Sequence, residues 1–405
     1  MSKNQRIYLD HAATTPVDKF VIDEMQNFFI NNWHNPSSIY FEGQKAARAI
    51  DEARMSIAKM IGAQPEEIYF TSGGSESNNL AIKGIIDMHL NVPVHVLTSA
   101  TEHHAVIDPI ELLSHQNKIS FSAVTPDKEG IIHSDEVIKN IKKDTKLISI
   151  MHANNEVGAI NDIKEIVDKV KSKRPDIIFH SDSVQYVAHY DIDVKKLGVD
   201  LLTLTGHKFY GPRGCGILYI KSGVKIVPQI LGGGQENNIR AGTENLAAII
   251  GLSKALKISI NNREKDIKRD QLLFEQLQNG LKKSVPNIGF TGPKNIQERI
   301  PGMLSMLVDG VEGESILLAL DIQGVAASSG SACSTGSIEP SHVLTAMGIP
   351  RELARGSLRL SIGRMNNEEN INDFLQILPS IIKNLRSMSS QKKQFKKIES
   401  EWLNN

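Results

Sequence analysis

A single lysine, Lys208, lies in the glycine- and proline-rich segment LTGHKFYGPRGCG at 204–216. The apolar run VDLLTLT comes just before it, so the lysine side chain begins near a predicted buried strand. Desolvation lowers the pKa of an amine and makes its neutral, nucleophilic form available near pH 7. Such an amine can form a Schiff base with a carbonyl compound. We therefore predict that Lys208 binds a carbonyl cofactor, and that the surrounding glycines let a ligand or another backbone approach closely.

Asp182 follows the apolar run IIFHS and begins the segment DSVQ. One interpretation is a helix N-cap, a common use of aspartate after a strand. The other is a carboxylate that pairs with the protonated nitrogen of a pyridine ring, as an electron-sink cofactor requires. Gln185 comes three residues later and could then donate a hydrogen bond to an oxygen of the same ring.

The segment TSGGSESNN at 71–79 predicts a glycine-containing turn at the start of a helix. Gly73, Gly74 and Ser75 would present backbone N–H groups and a hydroxyl at the helix N-terminus, which attracts phosphate. The pattern lacks the lysine of a P-loop, so a nucleoside triphosphate is not indicated. A plain helix cap is the alternative interpretation.

Two adjacent histidines, His103 and His104, follow the predicted strand HVLTSA in the segment TEHHAV at 101–106. The chain has no HExxH pattern and no second ligand cluster at metal spacing, so we predict no metal site. An imidazole that stacks on a planar ring and moves protons is one interpretation, and a purely structural pair is the other.

The chain has two cysteines, and their surroundings differ. Cys333 lies in SSGSACSTGS at 328–337, among small polar residues, which suits an accessible thiolate rather than a packed side chain. Cys215 lies between glycines and enters the apolar run GILYI, so we interpret it as a packing residue. Two cysteines in so long a chain do not indicate a disulfide framework, and a reducing cytoplasm fits.

Two further segments carry candidate binding residues. The polar loop GGGQENNIRAGTEN at 232–245 is too irregular for a helix or a strand, and loops of this size are often functional. In LRLSIGR at 358–364, Arg359 lies between two leucines and would point to the opposite face of a strand from them. Its guanidinium could hold a carboxylate through two parallel hydrogen bonds, or form a plain surface ion pair.

Short apolar runs alternate with helical patterns over residues 60–260. This alternation predicts right-handed crossovers and a mostly parallel sheet. Ligands bind outside the carboxyl ends of such strands, where all the candidates above lie. Residues 253–283 predict a long amphipathic helix that leads into a second α+β region. The charged tail QKKQFKKIESEWLNN predicts a solvated helix face or a frayed end, with a docking surface as the alternative.

The overall charge is balanced, with 46 basic and 46 acidic side chains among 405 residues. We therefore expect neither a nucleic acid nor a membrane surface as a direct partner, since both select for positive charge. The first residues show no apolar core of a secretory signal, and no apolar run is long enough to span a membrane.

Taken together and in this order, these segments resemble the cysteine desulfurases of the NifS/IscS class. The resemblance covers nearly the whole chain, and a lysine motif and a cysteine motif of these types in one sequence are highly specific. The resemblance is carried by YLDHAATTP (8–16), NPSS (35–38), FTSGGSESNNLAIKG (70–84), TEHHAV (101–106), MHANNEVG (151–158), HSDSVQ (180–185), TGHKFYGPRG (205–214), RAGT (240–243), SSGSACSTG (328–336), EPSHVL (339–344) and LRLSIGR (358–364).

The resemblance implies an α/β protein of the PLP-dependent transferase fold type I, working as a homodimer with pyridoxal 5'-phosphate (PLP). Its large domain would contain a mostly parallel seven-stranded sheet and cover 15–263. A smaller α+β domain would cover 1–14 and 264–405 and carry the loop with Cys333.

The resemblance also assigns roles to individual residues. Lys208 matches the Schiff-base lysine, His103 the histidine that stacks on PLP and handles protons, and Cys333 the cysteine that becomes a persulfide. Other matched residues are expected to bind PLP or the substrate carboxylate. For PLP these are Gly74, Ser75, Asn155, Asp182, Gln185, Thr205, His207 and Thr243, the last reaching the phosphate of the neighbouring subunit; for the substrate they are Asn35, Asn155 and Arg359.

The implied reaction removes sulfur from L-cysteine and leaves L-alanine and a persulfide on Cys333. Acceptor or scaffold proteins for iron–sulfur cluster assembly or tRNA thiolation would take the sulfur, and Cys333 could transiently ligate a cluster with a scaffold partner. The alternatives are another PLP enzyme of the same fold, such as an aminotransferase or a selenocysteine lyase, and a non-catalytic sulfur-relay scaffold. Transamination needs no thiol such as Cys333, and the matched chemical residues are all present.

Overall fold

A seven-stranded sheet forms the centre of the larger part of the protein. The computed structural model describes residues 6–89, 91–330, 339–388 and 402–403. The strand order is β2-β8-β7-β6-β5-β3-β4; β8 is antiparallel to both neighbours and the other pairs are parallel. The strands are β2 (Ile68–Thr71), β3 (His95–Ser99), β4 (Ser120–Val124), β5 (Thr145–Ser149), β6 (Ile178–Asp182), β7 (Leu201–Thr205) and β8 (Gly216–Ile220). This confirms the predicted mostly parallel seven-stranded sheet.

The apolar runs are continuous because helices cover both faces of this sheet. Every residue of β3, β7 and β8 is buried. Successive residues serve different faces: Leu201 packs in one apolar cluster, with Leu80 and Ile110, and Leu202 packs in another, with Ile57. A strand that is buried on both faces does not need to alternate polar and apolar residues along its length. These apolar runs accordingly lack a regular alternation.

Twelve helices surround the strands in the described part of the chain. The first seven are α1 (Lys19–Ile30), α2 (Phe41–Ile61), α3 (Gly74–Asp87), α4 (His104–His115), α5 (Ser134–Lys139), α6 (Ile163–Lys173) and α7 (Val194–Leu197). The others are α8 (Leu246–Ser284), α9 (Gly313–Ile322), α10 (His342–Ala346), α11 (Arg351–Ala354) and α12 (Glu368–Met388). No helix in the described ranges is both long and apolar enough to cross a lipid bilayer.

A second, smaller sheet contains three antiparallel strands in the order β12-β10-β9. These are β9 (Ile288–Thr291), β10 (Met303–Val308) and β12 (Ser357–Ser361). The start of the chain joins this part, because β1 (Ile7–Tyr8) pairs in parallel with β11 (Val325–Ala326) and Asp10 forms a bridge with Ser361. The segment that follows β1 is thereby placed beside β12.

Helix α8 connects the two parts. Its first half packs in the cluster under the large sheet, and its second half packs with α12 and the small sheet. It extends seven residues before the predicted start at 253, because LAAIIGL continues the apolar pattern and the Asn245 side chain accepts a hydrogen bond from the Ala248 N–H at 3.3 Å. The predicted domain boundary between 263 and 264 falls within this helix and stays a prediction.

The charged tail was expected to be solvated. Its two described residues, Trp402 and Leu403, are instead buried, in a cluster with Val343 and Leu344. Both are apolar, so their burial removes hydrocarbon surface from water whatever the charge of the residues around them. Residues 389–401 lie outside the described part.

Candidate active site

A cavity of about 330 Å³ opens at the carboxyl ends of the central strands. It lies beside the N-terminus of α3 and is closed on one side by the segment after β1. Ten of the predicted site residues line it: Gly74, Ser75, His103, Asn155, Asp182, Gln185, Thr205, His207, Lys208 and Arg359. The strand-end rule therefore brings nine of these ten residues into a single cavity, and Arg359 reaches it from the small sheet.

Lys208 ends a short 3-10 turn that follows β7. Its ammonium nitrogen Nζ donates to the carbonyl oxygens of Ala12 at 2.7 Å and Ala13 at 2.9 Å. The turn is tight because Gly206 has no side chain: a Cβ there would lie 2.9 Å from the carbonyl oxygen of Pro212. The glycines thus allow close backbone packing, which fixes where the lysine amine lies.

Asp182 is the last residue of β6, and its carboxylate is buried. One oxygen accepts from Asn78 Nδ2 at 2.7 Å and the other from the Val184 N–H at 3.0 Å. The residues after it form turns rather than a helix, so the helix N-cap interpretation of Asp182 is wrong. Gln185, also buried, donates from Nε2 to the carbonyl oxygen of Ala12 at 2.9 Å.

The two adjacent histidines point to different partners. His103 caps α4, and its Nδ1 accepts from the Ala105 N–H at 3.0 Å, so a neutral ring carries its proton on Nε2. Burial lowers the pKa of His103, and the charge of Lys208 lowers it further, against an opposing effect of Asp182. His103 is therefore neutral near pH 7, with an Nε2–H that can donate a hydrogen bond.

His104 turns away from the cavity. Its Nδ1 lies 2.9 Å from the Asp108 carboxylate, and its ring packs against that of His342. No group of three histidine, cysteine or acidic side chains within the described ranges could hold a metal ion.

The other end of the cavity can receive an anion. Gly74 and Ser75 form the first turn of α3, where N–H groups lack acceptors within the helix. Gly216 allows this loop to lie against β8, because a Cβ there would be 2.6 Å from the Gly73 backbone. His207 lies near, with Nδ1 3.2 Å from Thr14 Oγ1, and burial lowers its pKa to about 4. The helix N-terminus, rather than a histidine cation, supplies the positive potential.

Arg359 lies on β12 and reaches the cavity from the small sheet. Its side chain is 4% exposed, so the surface ion pair considered from the sequence is wrong. Nη2 donates to the Asp10 carboxylate at 2.9 Å, and Nη1 donates to the carbonyl oxygen of Asn155 at 2.9 Å. The fork is thus held by two fixed oxygens at the edge of the cavity.

Two predicted residues do not line this cavity. Asn35 and Thr243 are both exposed, and the Asn35 carboxamide oxygen accepts from the Ser37 N–H at 2.9 Å. A separate cavity of about 620 Å³ is lined by their sequence neighbours Pro36 and Glu244. Both residues therefore lie on one outer region of the chain.

The two cysteines have different outcomes. Cys215 is buried at the start of β8, and burial raises the pKa of its thiol to about 12, which confirms the packing interpretation. Cys333 lies outside the described residues, so its role stays a prediction.

Several buried or partly buried polar residues at the site were not singled out from the sequence. Asp10 binds Arg359, Asn78 binds Asp182, and Glu156 lies next to Asn155. Glu102 is fully buried beside His103, accepts from Ser99 and from the Met151 N–H, and has its pKa raised to about 8 by burial. The available signal was their position inside the quoted motifs, next to residues that had been singled out.

Similarity to known proteins agrees with this geometry. The family model described as "Aminotransferase class-V" matches residues 7–374 of this chain. A protein named cysteine desulfurase IscS from Dictyoglomus turgidum is 47% identical over 394 residues, which are 97% of this chain and 98% of that one. The chain belongs to the cysteine desulfurases of the class V aminotransferase family.

Solved structures of this family share the fold. A NifS-like protein superposes with a TM-score of 0.88 at 33% identity, over 94% of this chain and all of the other. A structure described as SspA in complex with cysteine superposes with a TM-score of 0.78 at 34% identity, over 88% of this chain and 99% of that one. The predicted fold class, a fold type I transferase, is confirmed.

Proposed function

We propose that this cysteine desulfurase binds PLP in the 330 Å³ cavity and uses it to convert L-cysteine to L-alanine, with the sulfur left on Cys333. One observation carries the proposal. A buried aspartate, a neutral histidine, a lysine amine and a helix N-terminus all line the same cavity. The membership in the cysteine desulfurases supports the choice of substrate.

The residues present suit the three chemical parts of PLP. The N-terminus of α3, with Gly74 and Ser75, suits the phosphate. The buried carboxylate of Asp182 suits a protonated pyridine nitrogen, and the amine of Lys208 suits the aldehyde carbon. When bound, PLP supplies an electron sink for the bond breaking at the substrate Cα.

The chain's own residues would orient the substrate and move its protons. Arg359 would bind the carboxylate of L-cysteine through its fork, and Asn155, which lines the same cavity, would help to orient it. Lys208, once neutral, would take the proton from Cα, and His103 would donate a proton or a hydrogen bond through its Nε2–H.

Sulfur transfer is assigned to Cys333. Its thiolate attacks the sulfur of the substrate, a new S–S bond forms, and the C–S bond breaks with its electron pair staying on carbon. That carbon then takes up a proton and becomes the methyl group of alanine. Acceptor or scaffold proteins for iron–sulfur assembly or tRNA thiolation would collect the persulfide sulfur, in the cytoplasm.

We also propose that the working form is a homodimer. Large apolar side chains are exposed on and around α1 and in the 230–243 loop, close in sequence to Asn35 and Thr243: Phe20, Phe29, Trp33, Phe41 and Leu231 are 61–83% exposed. A second copy that covered them would remove hydrocarbon surface from water. It would also let Thr243 reach the phosphate in its partner's cavity, and bring Asn35 toward a substrate.

The test is product analysis with matched cysteine variants. Purified protein with PLP, L-cysteine and a thiol reductant should release alanine and sulfide in equal amounts. Cys333→Ala should abolish both products but keep the absorbance of bound PLP, and Cys215→Ala should retain turnover. Turnover by Cys333→Ala would refute the role of this thiol, and exchange of amino and keto acids without sulfide would favour an aminotransferase.

A further inference from the structure

A buried carboxyl group, that of Glu156, lies beside the site but has no role in the proposed chemistry. The residue is 5% exposed, and burial raises its pKa to about 7. Its Oε2 lies 2.5 Å from the hydroxyl of Ser341. A buried ionisable group costs free energy unless its partners compensate it, so its contacts need a reason.

These contacts involve both described ends of the segment that carries Cys333. Gly330 is the last described residue before that segment, and Ser341 is the third after it. A Cβ at Gly330 would lie 2.7 Å from Glu156 Oε2 and 3.1 Å from Ser341 Cβ. The same carboxyl oxygen therefore accepts from the hydroxyl of one end and occupies the space that a side chain on the other end would need.

The end before the segment is also joined to the substrate arginine. Ser328 and Arg359 exchange two backbone hydrogen bonds, at 2.7 and 3.2 Å. The guanidinium of Arg359 in turn donates to the carbonyl oxygen of Asn155, the residue before Glu156. A shift of Gly330 would therefore be transmitted to the groups that face the substrate carboxylate.

The end after the segment is joined to the loop between β3 and α4, which carries His103. The Ser341 hydroxyl caps α10 by accepting from the Leu344 N–H at 3.2 Å. The next residue, His342, has its Nε2 2.9 Å from the carbonyl oxygen of Glu102. Both ends are thus fixed to elements that carry proposed catalytic groups.

Glu156 itself is held rigidly. The side-chain oxygen of Asn154 accepts from the N–H groups of Glu156 and Val157, each at 2.9 Å, and its Nδ2 donates to the carbonyl oxygen of Thr101 at 3.0 Å. A carboxyl group fixed in this way can serve as a reference point for the groups that contact it.

We infer that Glu156 is a positioning residue that ties Gly330 and Ser341, the described residues on either side of 331–338, to each other and to the strand that carries Arg359, and that its loss slows sulfur transfer to Cys333. The inference rests on the proposed function, because it has a consequence for the reaction only if Cys333 is the nucleophile.

The test compares Glu156→Ala, Glu156→Gln and Ser341→Ala with the unchanged protein, by three measurements. The first is the cysteine concentration that gives half of the absorbance change of bound PLP. The second is the single-turnover rate of alanine formation at saturating cysteine. The third is the rate of Cys333 alkylation by iodoacetamide without substrate. This rate can be assigned to Cys333 because the other cysteine, Cys215, is buried.

Glu156→Ala should slow alanine formation by about tenfold to a hundredfold, the cost of a misplaced reacting group, with little change in the cysteine concentration needed. It should also change the alkylation rate. Glu156→Gln should restore most of the alanine rate, because an amide keeps a hydrogen bond to Ser341. Ser341→Ala should act in the same direction, and the double variant should be no slower than Glu156→Ala, since one contact is lost in both.

Normal rates of alanine formation and alkylation in Glu156→Ala would overturn the inference. A raised cysteine requirement with an unchanged single-turnover rate would also overturn it, because it would place Glu156 in substrate binding. If the unchanged protein shows no absorbance change with cysteine, the proposed function fails, while alkylation still tests the contact. Should Glu156→Ala not fold, Ser341→Ala decides by the same measurements.

Discussion

The inner cavity and the outer region around Asn35 and Thr243 differ in what one chain supplies. In the cavity, ten predicted residues from both sheets lie together, and their polar groups are paired within the chain. In the outer region, Asn35 and Thr243 are exposed near large apolar side chains such as Phe29 and Trp33. One chain therefore lines the cavity, and in the proposed homodimer the second chain would cover the outer region.

The cause of this difference lies in the backbone. Residues at strand ends are placed by the ladder of the sheet, and those ladders are complete within the chain. The segment from 31 to 40 has no strand or helix of its own, and its aromatic rings contact mainly each other, as Trp33 does with His34 at 4.5 Å. Covering one large apolar side chain contributes about 1.5–3 kcal/mol, so several of them favour association.

The strongest test of the comparison is to make the outer region polar. Phe29→Glu combined with Trp33→Glu should yield monomers, because it places charges on a surface that the proposal buries. Turnover should fall by about 10²–10⁴-fold, as expected if two contacts to charged groups of about 1.5–3 kcal/mol each are lost. Light scattering and alanine formation measure the two effects.

The matched control is Leu318→Glu, which changes an exposed apolar residue on α9. It should leave both oligomeric state and turnover unchanged. A double variant that stays dimeric, or a monomer with full activity, would show that the outer region is not part of the site.

Within the cavity, Arg359→Lys should raise the KM for cysteine. Lysine keeps the charge but cannot contact both the Asp10 carboxylate and the Asn155 carbonyl while binding the substrate as a fork. Loss of a charge-assisted contact of about 1.5–3 kcal/mol corresponds to about 10–100-fold in KM. Steady-state kinetics should show this rise in KM with little change in kcat. The control is Arg355→Lys, at an exposed position, which should change neither KM nor kcat. An unchanged KM would remove Arg359 from the substrate site.

Thr243→Ala should have a smaller effect than Arg359→Lys. It tests the contribution of the outer region separately from that of the cavity. If the hydroxyl reaches the partner's phosphate, its loss removes one hydrogen bond to a charged group, worth about 1.5 kcal/mol at the lower end of the range for such bonds, and weakens PLP binding by about tenfold. The dimer should stay intact, and the affinity for cysteine should not change. Equilibrium titration of the apoenzyme with PLP measures this, with Thr345→Ala, whose hydroxyl bonds within α10, as the control. PLP affinity equal to that of the unchanged protein would leave Thr243 without its assigned contact.

The last prediction concerns how the stability of the strands beneath the cavity depends on pH. Burial lowers the pKa of His180, on β6, to about 4, and its two ring nitrogens lie 2.8 Å from Ser149 Oγ and 3.1 Å from Thr203 Oγ1. The unfolded chain, with a histidine pKa of about 6.5, binds more protons between pH 6.5 and pH 4, so the free energy of unfolding falls as the pH drops through this window, by up to about 1.4 kcal/mol per unit.

His180→Gln should make that decline less steep, because glutamine keeps hydrogen bonds but does not titrate. Urea unfolding at several pH values measures the slope, and His115→Gln, at an exposed position, controls for the loss of an imidazole. If the free energy of unfolding falls equally steeply with pH in His180→Gln and in the unchanged protein, protonation of His180 does not contribute to the pH dependence of stability.

The sequence predicts the inner region well because its signals are local. An apolar run followed by Lys208 or Asp182 indicates a strand end, and parallel strands bring such ends together. Contacts between distant segments carry no comparable signal: Asp10 and Arg359 are 349 residues apart, and Glu156 and Ser341 are 185 apart. Their pairing depends on how β1 and β12 meet and on the loop after β5, which no local pattern specifies.

In the outer region, the local sequence pattern predicts neither the position nor the role of the site residues. Resemblance assigned Asn35 and Thr243 to the site, yet neither residue type nor spacing explains why they lie on exposed segments. The helix α8 was predicted too short for a simpler reason: its first residues are apolar all round, because they pack under the large sheet, and so lack the amphipathic period that marks the rest.

The central claim is that Lys208 holds PLP in the inner cavity, and one measurement tests it directly. Native protein with PLP is treated with borohydride, digested and mapped by mass spectrometry, with Lys208→Ala as the control. The account predicts a permanent pyridoxyl group on Lys208 and none at that peptide in the variant. A pyridoxyl group on another lysine, or none on the native protein, would contradict it.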